Sequence, residues 1–334
     1  MSCGYLSAVQ AKADQIFADP MLNNDAIVDA IAAKAVLEQQ QGMIRMPSIT
    51  GTKNKELRVE WLTKCSPTTS ECSDDCTIDG DDATPECEDY ELECLRETSF
   101  KVAERHYRDR TIEKVEAVAF NMVRHMAAMD EYIAQYIITG LAAAAGVNAL
   151  GTLGVGTVSG TTTYIAPQYW DASVFGYFDQ VIRMNKFRGT YGITGNNLYQ
   201  VLWNVPKDAA NADGKGNMAK IGTLKMYQDP ENMETYAAGQ TFLIHKGAAA
   251  FINKAWNPRN AANAENKAGN YWLWSEPSRN LPGVTYDIIM QQTCSGNEWY
   301  EAYKIQLHGL FAVNPYPCSE TNTGILVFEC GTGE

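Results

Sequence analysis

The stretch TIEKVEAVAFNMVRHMAAMDEYIAQYIITGLAAAA, Thr111 to Ala145, sets Ile112, Val115, Ala119, Met122, Met126, Met129, Ile133 and Tyr136 at spacings of three and four. That rhythm lines one face of a helix and predicts a single helix over 111–145. At 1.5 Å per residue it would run roughly 50 Å, well beyond an ordinary globular helix. A coiled coil could use so long a seam, but methionines and an alanine make this one soft. A long helix laid on a sheet fits better.

Upstream lies a segment of opposite character. KCSPTTSECSDDCTIDGDDATPECEDYELEC, Lys64 to Cys94, holds five cysteines and eleven acidic residues. It is flanked by KELRVEWLTK (55–64), which alternates Leu57, Val59 and Trp61 with Arg58 and Glu60 as a half-exposed strand does. YELECLRETSFKV (90–102) reads as its antiparallel partner. Asp79–Gly80 is a strong two-residue turn signal. Folding about it pairs residues whose numbers sum to 159, so Cys72 faces Cys87 and Cys65 faces Cys94. Cys65–Cys94, at a non-hydrogen-bonded pair, is the better disulfide candidate and Cys72–Cys87 the second. Pro85 would interrupt the ladder opposite Asp74, which makes an irregular tip. Free thiols in a reducing cytoplasm are the competing state.

The same run grazes a calcium loop, with Asp75, Thr77, Asp79, Gly80 and Glu86 in the order of that pattern. Thr77 and Asp82 depart from it, Pro85 precedes the last ligand and no helices flank it, so a solvated acidic loop is the simpler account. No C-x2-C knuckle is present for zinc. Just before the long helix the sign reverses, at Lys101, Arg105, Arg108, Arg110 and Lys114. Asp79, Asp81 and Asp82 of one copy are expected to dock on that basic stretch of another.

The chain has 334 residues, 45% hydrophobic and 20% charged, which excludes wholesale disorder. A net charge of -13 argues against a nucleic-acid reader. The start, MSCGYLSAVQAKADQIF, lacks the basic and apolar regions of a secretory signal. No charge occurs between Glu131 and Asp171, yet that run is mostly Ala, Gly and Thr, so no membrane span is expected. His106, His125, His245 and His308 stand in no metal-ligand spacing, and no G-x-S-x-G elbow occurs. GVGTVSG (154–160) misses the dinucleotide fingerprint and follows a helix, so Gly146–Gly160 reads as a hinge. Nothing calls for an enzyme or a cofactor.

Residues 1–42 read as two Ala-rich helices, one ending at Pro20 and one stopping at Gly42, better suited to an arm on a neighbour than to a core. Residues 161–290 read as mixed α/β, with DASVFGYFDQVIRMNKF helical and TFLIH a strand. VTYDIIMQQTC, EAYKIQLHGLFAVNP and TGILVFEC close the chain as strands.

This order of elements resembles the major capsid proteins of tailed double-stranded-DNA phages, the Hong Kong 97 fold. YEAYKIQLHGLFAVNPYPCSETNTGILVFECG, Tyr300 to Gly331, is similar to the closing segment of coat proteins related to crAss-like phages. The resemblance implies an α+β chain. It divides into an N-terminal helical arm (1–45), an extended hairpin loop (46–104) and a peripheral domain carrying the spine helix (105–165). An axial α/β domain (166–284) follows, then closing strands that return to the peripheral domain (285–334). It implies a non-enzymatic coat protein that self-assembles into pentamers and hexamers of an icosahedral shell. That shell would be assembled in the host cytoplasm around double-stranded DNA, with portal, scaffolding and decoration proteins as partners. Members often lose an N-terminal scaffolding segment; here that region is expected to stay, as an arm or with scaffold supplied separately. An encapsulin-like nanocompartment shell and a monomeric calcium-binding α/β protein are the alternatives.

Overall fold

The computed structural model describes residues 3–19, 28–40, 44–45, 56–61, 86–107, 110–148, 155–185, 187, 189–204, 218–222, 224–257, 259–267, 270–296, 298–314 and 323–332. Two helices come first, α1 (Cys3–Ala18) and α2 (Ile31–Gln39). Strands β1 (Ile44–Arg45), β2 (Glu56–Trp61) and β3 (Glu86–Glu91) follow, then β4 (Cys94–Ala103). The spine helix α3 spans Thr111–Ala143, 33 residues, close to the predicted bounds. After it run β5 (Gly156–Ser159), β6 (Thr162–Ile165), α4 (Val174–Met184), β7 (Tyr191–Thr194) and α5 (Tyr199–Asn204). Next are β8 (Met218–Ile221), β9 (Leu224–Gln228), α6 (Pro230–Tyr236), β10 (Gln240–Ile244) and β11 (Ala249–Asn253). The described elements close with β12 (Glu265–Lys267), β13 (Tyr271–Pro277), β14 (Thr285–Ser295), β15 (Glu298–Val313) and β16 (Ile325–Cys330). The chain is therefore α+β.

The sixteen-residue β15 organises a six-stranded antiparallel sheet. Its first part, residues 298–308, lies between β4 and β14, which continues to β13 and β12; its last part, residues 309–313, pairs with β11, whose Asn253 meets the start of β14 at Thr285. Glu301, Tyr303, Ile305 and Leu307 alternate inward, beneath α3. On the helix, Ala119, Met122, Met126, Met129 and Ile133 are buried as the periodicity requires, whereas Ile112 is 78% exposed at the first turn. Gly140 lets the helix approach β15: a Cβ there would lie 2.4 Å from the Phe311 ring. Phe100 of β4 joins the two layers, stacked on Tyr303 at 4.9 Å and on His125 of α3 at 5.1 Å.

A seven-stranded sheet, in the order β5-β6-β16-β10-β7-β9-β8, forms the second layer. One face shares the main core with α2 and α3 through Tyr191, Ile193, Tyr227, Phe242 and Val327. The other packs Leu243, Leu326 and Phe328 on Phe175, Phe178 and Val181 of α4.

Several expectations are corrected. Residues 90–102 do not form one strand against 55–64: β2 pairs β3 in a register summing to 147, with Trp61 opposite Glu86 and Glu60 opposite Cys87. At Leu92, wholly buried, the chain turns away and β4 pairs β15 instead. Cys94 consequently faces His308 and is a free, exposed thiol. Cys65 and Cys72 lie outside the described residues, as does the side chain of Cys87. Helices α1 and α2 join the core of their own chain, because small residues at Ala30, Ala32, Ala33 and Ala35 permit close contact. Part of the expected Gly-rich hinge is the β5–β6 hairpin, turning at Gly160 with φ 60°. Strands β11 to β13 belong to the sheet of β15, while β16 lies within the seven-stranded sheet rather than returning to the long one.

Candidate assembly surface

The start of α3 gathers the basic residues singled out in the sequence, but gives them different tasks. Lys114 points inward: its Nζ donates to Glu301 Oε1 at 2.8 Å and to Glu104, and lies 5.5 Å from the Tyr5 ring centroid. Burial opposes the charge on Lys114, yet hydrogen bonds and charges from Glu104 and Glu301 outweigh it and hold its pKa above the ordinary lysine value. Glu301 also accepts from Tyr5 Oη at 3.1 Å and Tyr303 Oη at 2.9 Å. Lys114 is thus an internal anchor tying α1, α3 and β15 together, not a contact between copies, and that assignment is corrected.

Arg105 and Arg110 do face solvent. Arg105 pairs with Glu298 at the tip of the β14–β15 hairpin, and Arg110 with Glu113 at 3.2 Å. Lys101 is exposed on β4. Arg108, Asp79, Asp81 and Asp82 lie outside the described residues. Among these charges stand two uncovered apolar side chains, Ile112 and Trp299, the latter 60% exposed. This end of the spine helix is a mixed basic and apolar surface, the composition favoured where proteins meet.

The hairpin is seated by its own small core. Val59, Trp61 and Leu92 pack on Ala250, Ile252 and Ala312 of the β11–β15 edge. Trp61 Nε1 donates to Tyr90 Oη at 3.1 Å, so the apolar phase of β2 fixes which face is buried.

Of the calcium candidates, Asp75 and Asp79 lie outside the described residues, and Glu86 is on β3. Among the described residues no three His, Cys, Asp or Glu side chains gather to hold a metal ion, and no helix is long and apolar enough to cross a membrane.

Five buried carboxylates escaped the sequence reading, one of them Asp229, which accepts from the Ala32 amide of α2 at 2.9 Å. Besides Glu301, Asp130 of α3 accepts from Tyr286, from Ser278 Oγ at 2.7 Å and from Asn280 Nδ2 at 3.0 Å; burial pushes its carboxyl up against those bonds. Asp287 accepts from the Trp256 and Asn257 amides at 2.8 and 3.0 Å and faces His308 Nδ1 at 3.0 Å. Glu276 lies under α1. A signal existed for two of them: Glu301 is in phase with Tyr303 and Ile305, and Asp130 follows Met126 by one helical turn.

No protein-family model matches this chain, and no curated protein does. Among solved structures it is similar to a protein of Mycobacterium phage Che8, at 12% identity over 90% of this chain and 89% of that one, TM-score 0.41. It is also similar to the capsid of Cyanophage P-SCSP1u, at 11% identity over 85% of both chains, TM-score 0.46. The capsid of Ralstonia phage GP4 is similar at 11% identity over 84% of both chains, TM-score 0.46.

Proposed function

We propose that this chain is the major coat subunit of a tailed phage, of the Hong Kong 97 type. In this role it builds pentamers and hexamers of an icosahedral shell around double-stranded DNA. The supporting observation is the arrangement of a 33-residue helix on a sheet built around a sixteen-residue strand, with a hairpin seated at one edge and a second sheet on the same core. Such a subunit presents several edges to neighbours and works by shape rather than by a reaction. The capsids of the cyanophage and the Ralstonia phage are assemblies of the kind proposed. A net charge of -13 suits a container wall that does not grip its genome.

In this proposal the exposed Lys101, Arg105 and Arg110, with Arg108, receive the acidic residues Asp79, Asp81 and Asp82 of an adjacent copy. Scaffolding, portal and decoration proteins would complete the virion, with assembly in the host cytoplasm.

Sedimentation with negative-stain imaging of the expressed chain, with and without a co-expressed scaffold, tests the proposal. Closed shells tens of nanometres across are expected. A single species near the 36.9 kDa chain mass under both conditions overturns it. Reversing Arg105 and Arg110 to Glu is expected to abolish shells while leaving the circular dichroism of the subunit unchanged.

A further inference from the structure

Helix α1 lies against α3 and the single turn at Ala261–Asn263, with Leu6, Val9, Ala13 and Ile16 buried. Beneath it sits Glu276 of β13, 1% exposed. Glu276 Oε1 accepts from Trp274 Nε1 at 3.1 Å, and Oε2 from Gln10 Nε2 of α1 at 2.9 Å. Both donors are neutral. Arg279, from the turn after β13, gives its Nε and Nη2 to Asp14 of α1 at 3.0 and 2.7 Å. Tyr286, opposite Glu276 on β14, directs its hydroxyl to Asp130 of α3. A carboxyl group is therefore held at the seam between α1 and β13 by neutral hydrogen bonds, with its nearby cation engaged elsewhere.

We propose that Glu276 is a proton-operated latch for α1: the protonated carboxyl holds the helix in its slot, and the carboxylate loosens it. Gln10 suits both states. Its amide donates N–H to the carboxylate, and turned over it accepts the carboxyl proton on its oxygen. Burial, the largest influence, pushes the Glu276 carboxyl up to about 7, against the lowering effect of Arg279 and of the bonds from Trp274 and Gln10; Asp14 adds to the rise. With α1 displaced, Glu276 meets water and returns towards the ordinary value of 4.5. The docked form thus binds the extra proton. Docking is tightest below about 4.5, weakens as pH rises to about 7, and is level above that.

Hydrogen exchange of the α1 amides in the full chain, at pH 5 and pH 7, tests the latch, with Glu276→Gln as the reference that cancels the intrinsic pH dependence of exchange. Relative to that variant, α1 of the natural chain is expected to open roughly 40 times as often at pH 7 as at pH 5. An equal ratio at the two pH values overturns the proposal. If Glu276→Gln fails to fold, Gln10→Leu serves instead. It removes a bond that favours the carboxylate, so the fall in α1 protection should extend to higher pH; an unshifted profile overturns the latch.

Discussion

The Lys114 ammonium stands 2.8 Å from the Glu301 carboxylate at a point where their side chains are 9% and 0% exposed. A buried pair of this kind matters most when one member is lost, because the survivor keeps its charge without compensation. Lys114→Met is expected to lower stability by about 3–5 kcal/mol in urea unfolding. Adding Glu301→Gln, which keeps an acceptor for Tyr5 and Tyr303, should restore a large part of the loss. No recovery in the double variant would mean that packing, not charge, dominates. The pair also sets an alkaline limit. Because the folded-state pKa of Lys114 is raised, its contribution is full below the ordinary lysine value of 10.5 and fades as pH climbs through the raised one.

Asp130 collects three hydrogen bonds from the turn and strand beyond β13. Asp130→Asn would turn a donor amide towards Tyr286, Ser278 or Asn280 and is expected to cost about 1–3 kcal/mol by chemical denaturation. Its raised carboxyl pKa gives the natural chain a stability component that grows as pH falls from that value towards 3.8. The variant should lack this component, which a comparison of the two pH profiles would reveal.

Gly140 offers a test of sign. An exposed helical glycine replaced by alanine gains roughly 1 kcal/mol from helix propensity. Here the added Cβ would press on Phe311 at 2.4 Å, so Gly140→Ala should instead destabilise, by about 1–3 kcal/mol. Phe311→Leu in the same chain should relieve it. A rise in melting temperature for Gly140→Ala alone would refute the close approach of α3 to β15.

Cys94, Cys294 and Cys330 are free and exposed. The folded chain should therefore react with a thiol reagent at pH 8 without prior reduction, and Cys94→Ser should lower the titre by one. Burial and the neighbouring Glu97 raise the Cys94 pKa, so its reaction should accelerate steeply above pH 9. An unchanged titre in the variant would show that Cys94 is engaged in a bond.

The spine helix was legible because its apolar seam repeats over eight positions, a signal that local accidents do not erase. Strand β2 was legible for the same reason at period two. The partner of residues 94–103 was not. Asp79–Gly80 is a local turn signal, whereas the register depends on distant choices: Phe100 finds Tyr303, and Leu92 finds the small core of Trp61 and Ile252. The N-terminal helices misled for a related cause. Alanine carries little hydrophobic pattern, yet at Ala32 and Ala35 it allows a close approach that only the packed structure reveals. Lys114 looked like one of five equivalent surface cations, and nothing nearby in sequence marks it as the partner of Glu301, 187 residues away.

Strand β16 lies between β6 and β10, although it follows every other described strand in the chain. The middle of that sheet is therefore vacant while the ribosome is still making the rest, and β6 has no path to β10 until residues 325–330 arrive. A nascent subunit emerges with its second layer open, so synthesis itself postpones the finished surface until the strand is delivered.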